Sequence, residues 1–163
     1  LRLAVGEGRE TVIRKFAPND TLTARAVVGE GNVVLGHIAG AAALGDLLRA
    51  ADQAKLSFND LQIGDTGGAF LLPLLNVPDW QAARKALLAA VPSLSLTEGV
   101  AVVSVVGDGF SSTPEPLVRF LAALRAADSP TRLTIATPLR MTAVVDAARN
   151  AEAQRALHAA FVG

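Results

Sequence analysis

The 163-residue sequence contains no cysteine and no tyrosine, and aromatic residues make up only 4% of it. The absence of cysteine excludes disulfides, thiolate chemistry and the usual structural zinc sites. The net charge is zero because 15 basic residues balance 15 acidic ones. A chain without a broad electrostatic field is not expected to bind nucleic acid or an anionic membrane.

Long hydrophobic runs are also missing from the sequence. Charged residues, glycines or prolines interrupt every apolar stretch before it reaches the roughly 20 residues that a membrane-spanning helix needs. The first residues include Arg2, Glu7, Arg9 and Glu10, which break any apolar segment of a signal peptide. We therefore expect no membrane partner and a soluble, cytoplasmic protein. Because the chain begins with Leu1 rather than methionine, we expect it to be part of something longer.

What the sequence does contain is a repeated pattern of an apolar strand, a short loop and a helix with one apolar stripe. The first strand spans residues 33–36 and the second spans residues 103–107. The helices that follow carry the stripes Leu44, Leu47, Leu48, Ala51 and Leu117, Phe120, Leu121, Leu124. Both stripes have the spacing i, i+3, i+4, i+7, which places four side chains on one helix face.

Each copy continues with two strands and a second helix. The pattern predicts strand 32–37, helix 41–53, strands 57–63 and 69–75 and helix 79–91 for the first copy. It predicts strand 100–106, helix 114–127, strands 132–137 and 140–145 and helix 151–161 for the second. Tight turns between consecutive strands favour an antiparallel sheet with helices on one face. Pro73, inside a predicted strand, indicates an edge position or a bulge.

Three further strands are predicted ahead of the first copy. Strands 3–5 and 11–13 flank a glycine-containing turn at residues 6–9, and strand 24–28 is closed by a turn at residues 29–31. A ferredoxin-like βαββαβ pattern needs one more strand for each copy. The segment around residues 26–28 is the candidate donor of such a strand.

The short pattern Gly107-Asp108-Gly109 lies between a strand and a helix, where backbone N–H groups approach anions. It matches neither the dinucleotide-binding nor the P-loop pattern, so turn chemistry favours a simple tight turn. The hydroxyls of Ser111, Ser112 and Thr113 are expected to cap the following helix, with Pro114 and Glu115 in its first turn. They also stand where they could hold a ligand carboxylate.

Other polar residues provide little evidence for catalysis. His37 and His158 are the only histidines, and neither lies beside acidic residues at ligand spacing, so we expect no metal and no cofactor. Asp60, Asp65 and Asp79 surround the first hairpin, where one could receive an amino group, although such acids are usually solvated. No paired acid and base are evident, so we predict no catalytic residues; a small enzyme on a ferredoxin-like scaffold is a remote alternative.

Several segments of the sequence resemble the regulatory region of aspartate kinases. Residues 103–110, 119–124 and 156–161 are similar to the V-S-V-V-G-x-G-M strand and loop, the F-x-x-L helix and the closing A-L-H-x-x-F helix of its second ACT unit. Residues 32–91 resemble the first ACT unit, and residues 25–29 occupy the place of the strand before it. Residues 10–13 stand where the family has a G-T-x-I segment between its kinase and regulatory domains.

The resemblance implies an α+β fold of two ferredoxin-like (βαββαβ) ACT units, with antiparallel sheets, helices on one face and one unit inserted into the other. The implied divisions are a linker or hairpin at 1–21, a first unit at 32–92, and a second unit at 22–31 plus 93–163. The family further implies a homodimer that pairs ACT units side by side and binds threonine or lysine at the interface for feedback control. The family's kinase domain is missing from this chain, so we expect the chain to be non-catalytic.

The implied effector-binding residues lie in two loops and one hairpin. They are His37, Ile38, Ala39, Gly40 and Ala41; Asp60 and Asp65; and Asp108, Gly109, Phe110, Ser111 and Thr113. The family's first loop carries Asp-x-Pro-Gly, whose carboxylate and N–H groups receive the effector, whereas residues 38–42 contain neither acid nor proline. A zwitterion buried without such partners loses several kcal/mol. The alternative is therefore a structural dimerisation module without an effector.

Overall fold

The computed structural model describes residues 2–4, 10–12 and 22–163. Its strands are β1 (Arg2–Ala4), β2 (Glu10–Val12), β3 (Thr23–Ala39), β4 (Asn59–Gly64), β5 (Gly67–Pro73), β6 (Ser95–Asp108), β7 (Leu133–Thr137) and β8 (Arg140–Asp146). Its α-helices are α1 (Leu44–Gln53), α2 (Trp80–Ala90), α3 (Glu115–Ala126) and α4 (Asn150–Phe161). A short 3-10 turn precedes α1 at Ala41–Ala43, and another precedes α4 at Ala147–Arg149.

The first two strands, β1 and β2, pair antiparallel with each other. This agrees with the strands predicted around residues 3–5 and 11–13. The turn predicted between them at residues 6–9 lies outside the described residues.

The remaining six strands form one antiparallel sheet in the order β4-β5-β3-β6-β8-β7. The two long strands β3 and β6 occupy its centre and pair along almost their whole lengths. The end of β3 joins β4, β5 and the start of β6 in one ferredoxin-like sheet. The start of β3 joins the end of β6, β8 and β7 in the other. The fold is thus two ferredoxin-like units, one inserted into the other, as the resemblance implied.

The two central strands β3 and β6 are longer than the sequence predicted. Residues 24–28 and 32–37 were expected as separate strands, but both belong to β3, and β6 begins at Ser95 rather than at residue 100. The ladder pairs Glu30 with Val102 and Val33 with Val100, which leaves one extra residue in β3. Asn32 adopts a positive φ of 56° within this bulge. The glycines and asparagine that predicted a turn therefore bend a continuing strand.

A second irregularity in β6 compensates for the bulge in β3. Val33 pairs with Val100 and Leu35 pairs with Thr97, so β6 contains the extra residue at this point, next to Gly99 with a φ of 71°. An extra residue reverses which side chains face each side of a strand. Because both strands are shifted at the junction, apolar side chains face the helices in both units.

The helices pack on one face of the sheet, as predicted, over two separate cores. Phe120, Leu124 and Leu157 fill the core beneath α3 and α4, and Leu47 and Leu87 fill the core beneath α1 and α2. The predicted stripe of α1 is slightly rotated. Leu48 is 42% exposed, whereas Ala50, which was not in the predicted stripe, is buried.

The edge position predicted for Pro73 holds locally, although β5 is an interior strand of the sheet. Pro73 is its last residue and pairs with Val33 of β3. The neighbouring strand β4 pairs with β5 only as far as Leu71. The proline therefore follows the last rung of the β4 ladder, where its missing N–H removes no hydrogen bond to β4.

The face of the sheet opposite the helices, here called the concave face, carries a third buried cluster. Its members come from four strands: Val33, Leu35, Leu71, Val100, Val102 and Val144. Arg140 of β8 forms an ion pair with Asp60 of β4, although these strands lie on opposite sides of the central pair. The sheet therefore curls strongly enough to bury apolar side chains on a face that none of the four described α-helices covers.

No helix among the described residues is long and apolar enough to cross a membrane.

The cores predict a clear difference between two positions of α3. Phe120 is 0% exposed and Val118 is 63% exposed. We expect Phe120→Ala to lower the free energy of unfolding by about 3–5 kcal/mol, because it leaves a cavity under the helix. The control Val118→Ala is expected to change it by less than about 0.5 kcal/mol. Urea denaturation of both variants measures the difference, and similar midpoints would contradict the packing described here.

Candidate effector site

The first predicted loop, residues 37–41, follows the end of β3 and leads into α1. His37, Ala39 and Ala41 are exposed, whereas Ile38 is buried in the core beneath α1 and α2. Gly40 has φ 85° and ψ 146°, a backbone conformation that residues other than glycine rarely adopt. Its N–H donates to the carbonyl of Thr66 at 3.2 Å. The loop is thus tied to the hairpin between β4 and β5.

That hairpin brings Asp65 beside the first loop. Gly64 pairs with Gly67, so Asp65 and Thr66 form a tight two-residue turn, and Asp65 is exposed. The same edge forms an open groove whose lining includes His37, Ile38, Thr66 and Gly67. The structure therefore places the turn that carries Asp65 next to the first loop, although Asp65 itself does not line the groove.

The second predicted loop follows the end of β6 and is largely occupied with its own contacts. Asp108 accepts hydrogen bonds from Nε and Nη2 of Arg25, at 3.0 and 2.6 Å. Phe110 is 4% exposed and packs edge-on against Phe161 at 6.4 Å between ring centroids. Ser111 and Thr113 are exposed. The hydroxyls and Asp108 are thus the accessible polar groups of this loop.

The expected hydroxyl cap of α3 is wrong. The residue that precedes the helix is Pro114, and no side chain caps its first N–H groups. The hydroxyl of Ser112 instead donates back to the carbonyl of Gly109 at 2.7 Å. By contrast, Asp79, predicted only as a solvated acid, caps α2 by accepting from the N–H of Ala82 at 2.9 Å.

The two loops lie at opposite ends of the central strand pair. Thr23 pairs with Asp108 at one end and His37 pairs with Ser95 at the other. At about 3.3 Å per residue, the loops are on the order of 40 Å apart. One chain therefore does not bring the first loop and the second loop into a single site.

Asp60 also lies apart from the first loop, at the far end of β4 from Asp65. Its φ is 51°, and its carboxylate accepts from Nη2 of Arg140 on the concave face. Around this pair is a cavity that sequence reasoning missed, lined also by Ser104. The one local signal for it was a pair of hydroxyl residues, Ser104 and Thr142, within otherwise apolar strands.

Metal coordination has no support in the described ranges. Within residues 2–4, 10–12 and 22–163, no group of three or more histidine or acidic side chains could hold a metal ion. His37 and His158 are both exposed and lie in different units.

The two strand–loop–helix units with their shared strands define the class of fold as a tandem ACT domain, and known structures agree. No family model matches the sequence, and no curated protein matches it. The regulatory subunit of aspartate kinase from Thermus flavus superposes with a TM-score of 0.70 at 21% identity, covering 85% of this chain and 99% of that one. The chain therefore has the fold of an aspartate kinase regulatory region.

Longer aspartate kinases match over part of their length. The Clostridium acetobutylicum aspartate kinase matches with a TM-score of 0.73 at 14% identity, over 91% of this chain and 36% of that one. E. coli aspartokinase III in complex with lysine and aspartate, in its T-state, matches with a TM-score of 0.68 at 15% identity, over 89% of this chain and 35% of that one.

Replacing glycine with alanine is expected to have opposite effects on stability at Gly40 in the first loop and at Gly45 in α1. A methyl group added at Gly40 or at Gly45 of α1 meets no atom within 4 Å. Gly40→Ala is expected to lower stability by about 1–3 kcal/mol, because it forces alanine into an unfavourable conformation. Gly45→Ala is expected to raise it by about 0.5–1 kcal/mol through helix propensity. Thermal unfolding measures both shifts, and shifts of the same sign would refute this loop conformation.

Proposed function

We propose that this chain is the amino-acid-sensing regulatory region of an aspartate kinase-like protein. The observation that supports this most is the fold, because both units place a strand–loop–helix segment where aspartate kinase regulatory regions have theirs. The ligand is a small amino acid of the threonine or lysine class. E. coli aspartokinase III binds lysine in its T-state, which supports the same type of ligand here.

The proposed regulation is a shift between two states of an aspartate kinase domain. A ligand shifts such an equilibrium only by its differential affinity for the two states. Each tenfold difference in affinity corresponds to about 1.4 kcal/mol. The feedback signal therefore depends on how the effector changes the arrangement of the ACT units.

A homodimer is part of the proposal because the loops of one chain are far apart. A site between loops of different units requires a second copy of the chain. The outer strands β4 and β7 carry backbone groups on their free edges that can pair with another strand. Side-by-side pairing through the edge of β4 is proposed to bring the turn that carries Asp65 close to the partner chain.

Effector binding is tested by titrating the chain with threonine and with lysine in a calorimeter. We expect one of them to bind and, at about 100 times its Kd, to stabilise the fold by about 2.7 kcal/mol. For a chain of this size that raises the Tm by about 5–10 °C. If neither amino acid produces heat or a thermal shift, the sensing role is refuted.

Asp65 is the neighbour of Thr66, whose carbonyl accepts from Gly40 of the first loop, so Asp65 is proposed to receive the effector's ammonium group. Asp65→Asn is expected to weaken binding about tenfold or more, because a hydrogen bond between charged groups contributes about 1.5–3 kcal/mol. The matched control is Asp46→Asn, which removes an exposed acid of α1 that pairs with Arg49. Equal affinities for the two variants would remove Asp65 from the site.

A second candidate function, a structural dimerisation module without an effector, is favoured by one observation. The N–H of Gly40 is already bonded to Thr66, and the first loop carries no acid of its own. This candidate predicts a dimer by analytical ultracentrifugation whose Tm is unchanged by threonine or lysine. A monomer at micromolar concentration contradicts it.

A further inference from the structure

The concave face of the sheet contains a cavity of about 140 Å³ between the two units. Its apolar walls come from both units and consist of Val28, Val33, Leu71, Val102 and Val106. Its polar lining consists of Glu30, Asn59, Asp60, Ser104 and Arg140. Val28, Glu30 and Asn59 are exposed at the mouth, whereas Ser104 is 7% exposed in the interior. The cavity therefore joins an open mouth to a buried hydroxyl.

The ion pair in this cavity uses only part of the bonding capacity of its members. Arg140 donates from Nη2 to Oδ1 of Asp60 alone. By contrast, Arg119 and Glu115 on α3 form two parallel bonds at 3.0 Å, with each carboxylate oxygen occupied. Within residues 22–163, Asp60 makes no other side-chain hydrogen bond. One carboxylate oxygen and several guanidinium N–H groups thus remain for a ligand.

The buried hydroxyls add a polar group to the wall of the cavity. Ser104 Oγ and Thr142 Oγ1 lie 2.9 Å apart, and both residues are more than nine-tenths buried. Two hydroxyls hold two hydrogens, and only one hydrogen lies between these oxygens. When Thr142 donates, the hydrogen of Ser104 can donate into the cavity; when Ser104 donates, its oxygen keeps only its acceptor role there. A buried donor at a cavity wall is stabilised by an acceptor inside the cavity.

The charges around the cavity specify the chemistry of that ligand. Asp60 and Glu30 provide two carboxylates, and Arg140 provides one guanidinium. A molecule with one carboxylate and one ammonium group satisfies both signs at once. The ligand carboxylate accepts from Arg140 and Ser104, while its ammonium donates to Asp60 or Glu30.

The volume limits the size of the ligand. A dry cavity of about 150 Å³ is known to take benzene. L-Alanine has as many non-hydrogen atoms as benzene, and L-serine has one more. L-Lysine carries an aminobutyl chain that this volume cannot enclose, so the chain must extend through the mouth into water. The valine and leucine walls accommodate a methyl or hydroxymethyl side chain.

We propose that the cavity on the concave face binds a short-chain α-amino acid such as alanine or serine. This site goes beyond the proposed function, because it lies within a single chain and uses neither loop. It is also separate from Asp65, which lies at the other end of β4 from Asp60.

The experiment is calorimetric titration of the 163-residue chain with L-serine and L-alanine, compared with L-lysine, propionate and ethylamine. We expect both short amino acids to bind at least tenfold more tightly than lysine. Propionate lacks the ammonium group and ethylamine lacks the carboxylate, so each is expected to bind at least tenfold more weakly than alanine. Equal affinity for propionate and alanine would overturn the zwitterion assignment.

Three variants locate the binding site. Arg140→Gln is expected to weaken serine binding at least tenfold. Val28→Phe places a larger side chain at the mouth, where Val28 is 50% exposed, and is expected to abolish binding without disturbing the buried core. Arg132→Gln is the matched control, because Arg132 lies on the same hairpin and pairs with Asp146 outside the cavity.

The outcomes separate this proposal from the proposed function. Loss of serine binding in Val28→Phe and Arg140→Gln, with Asp65→Asn and Arg132→Gln unaffected, supports the cavity. Loss in Asp65→Asn alone overturns the cavity and leaves the loop site in place. No binding of serine or alanine to the unaltered chain also overturns the cavity, whether or not threonine or lysine binds elsewhere.

Discussion

The fold depends on the pairing of β3 with β6. Each of these strands serves both units, so neither unit has a complete four-stranded sheet without the other. The pairing requires that apolar side chains reach the helices at both ends of each strand. The bulge at Asn32 and the compensating irregularity at Gly99 meet this requirement, because each shifts the alternation of side chains at the junction. We therefore expect the two units to fold and unfold together.

The sheet curls because the helices leave the apolar residues of its concave face uncovered. All four α-helices occupy one face, so the apolar residues of the other face require cover of their own. Bulges increase the local twist of a strand, and curling brings β4 towards β8. Val102 and Leu71 are then buried by other strands, and Asp60 reaches Arg140 at the rim. The concave cavity is the space that this closure leaves between the two units.

The local sequence pattern is sufficient to predict the helices but not the shape of the sheet. The four helices were predicted within a few residues, because their apolar stripes and helix-start residues are local signals. The glycines at residues 29–31 predicted a turn, since nothing local distinguishes a turn from a bulge in a longer strand. The Asp60–Arg140 pair joins residues 80 positions apart, so no window of sequence contains it. The loops were identified by resemblance, but their separation follows only from the register of β3 with β6.

The two places considered for a small zwitterion differ in how binding is linked to the rest of the molecule. The first loop is exposed, so interactions there are weakened by water, and the site proposed at this loop requires another copy of the chain. The cavity has charges of both signs, a partly buried carboxylate and apolar walls, where electrostatic interactions are stronger. A ligand between Asp60 and Arg140 acts on the curl of the sheet, because these residues connect β4 to β8. A ligand at the loops acts instead on the orientation of two chains. The two proposals therefore differ in what a ligand would change: the shape of one chain in the first case and the assembly of two chains in the second.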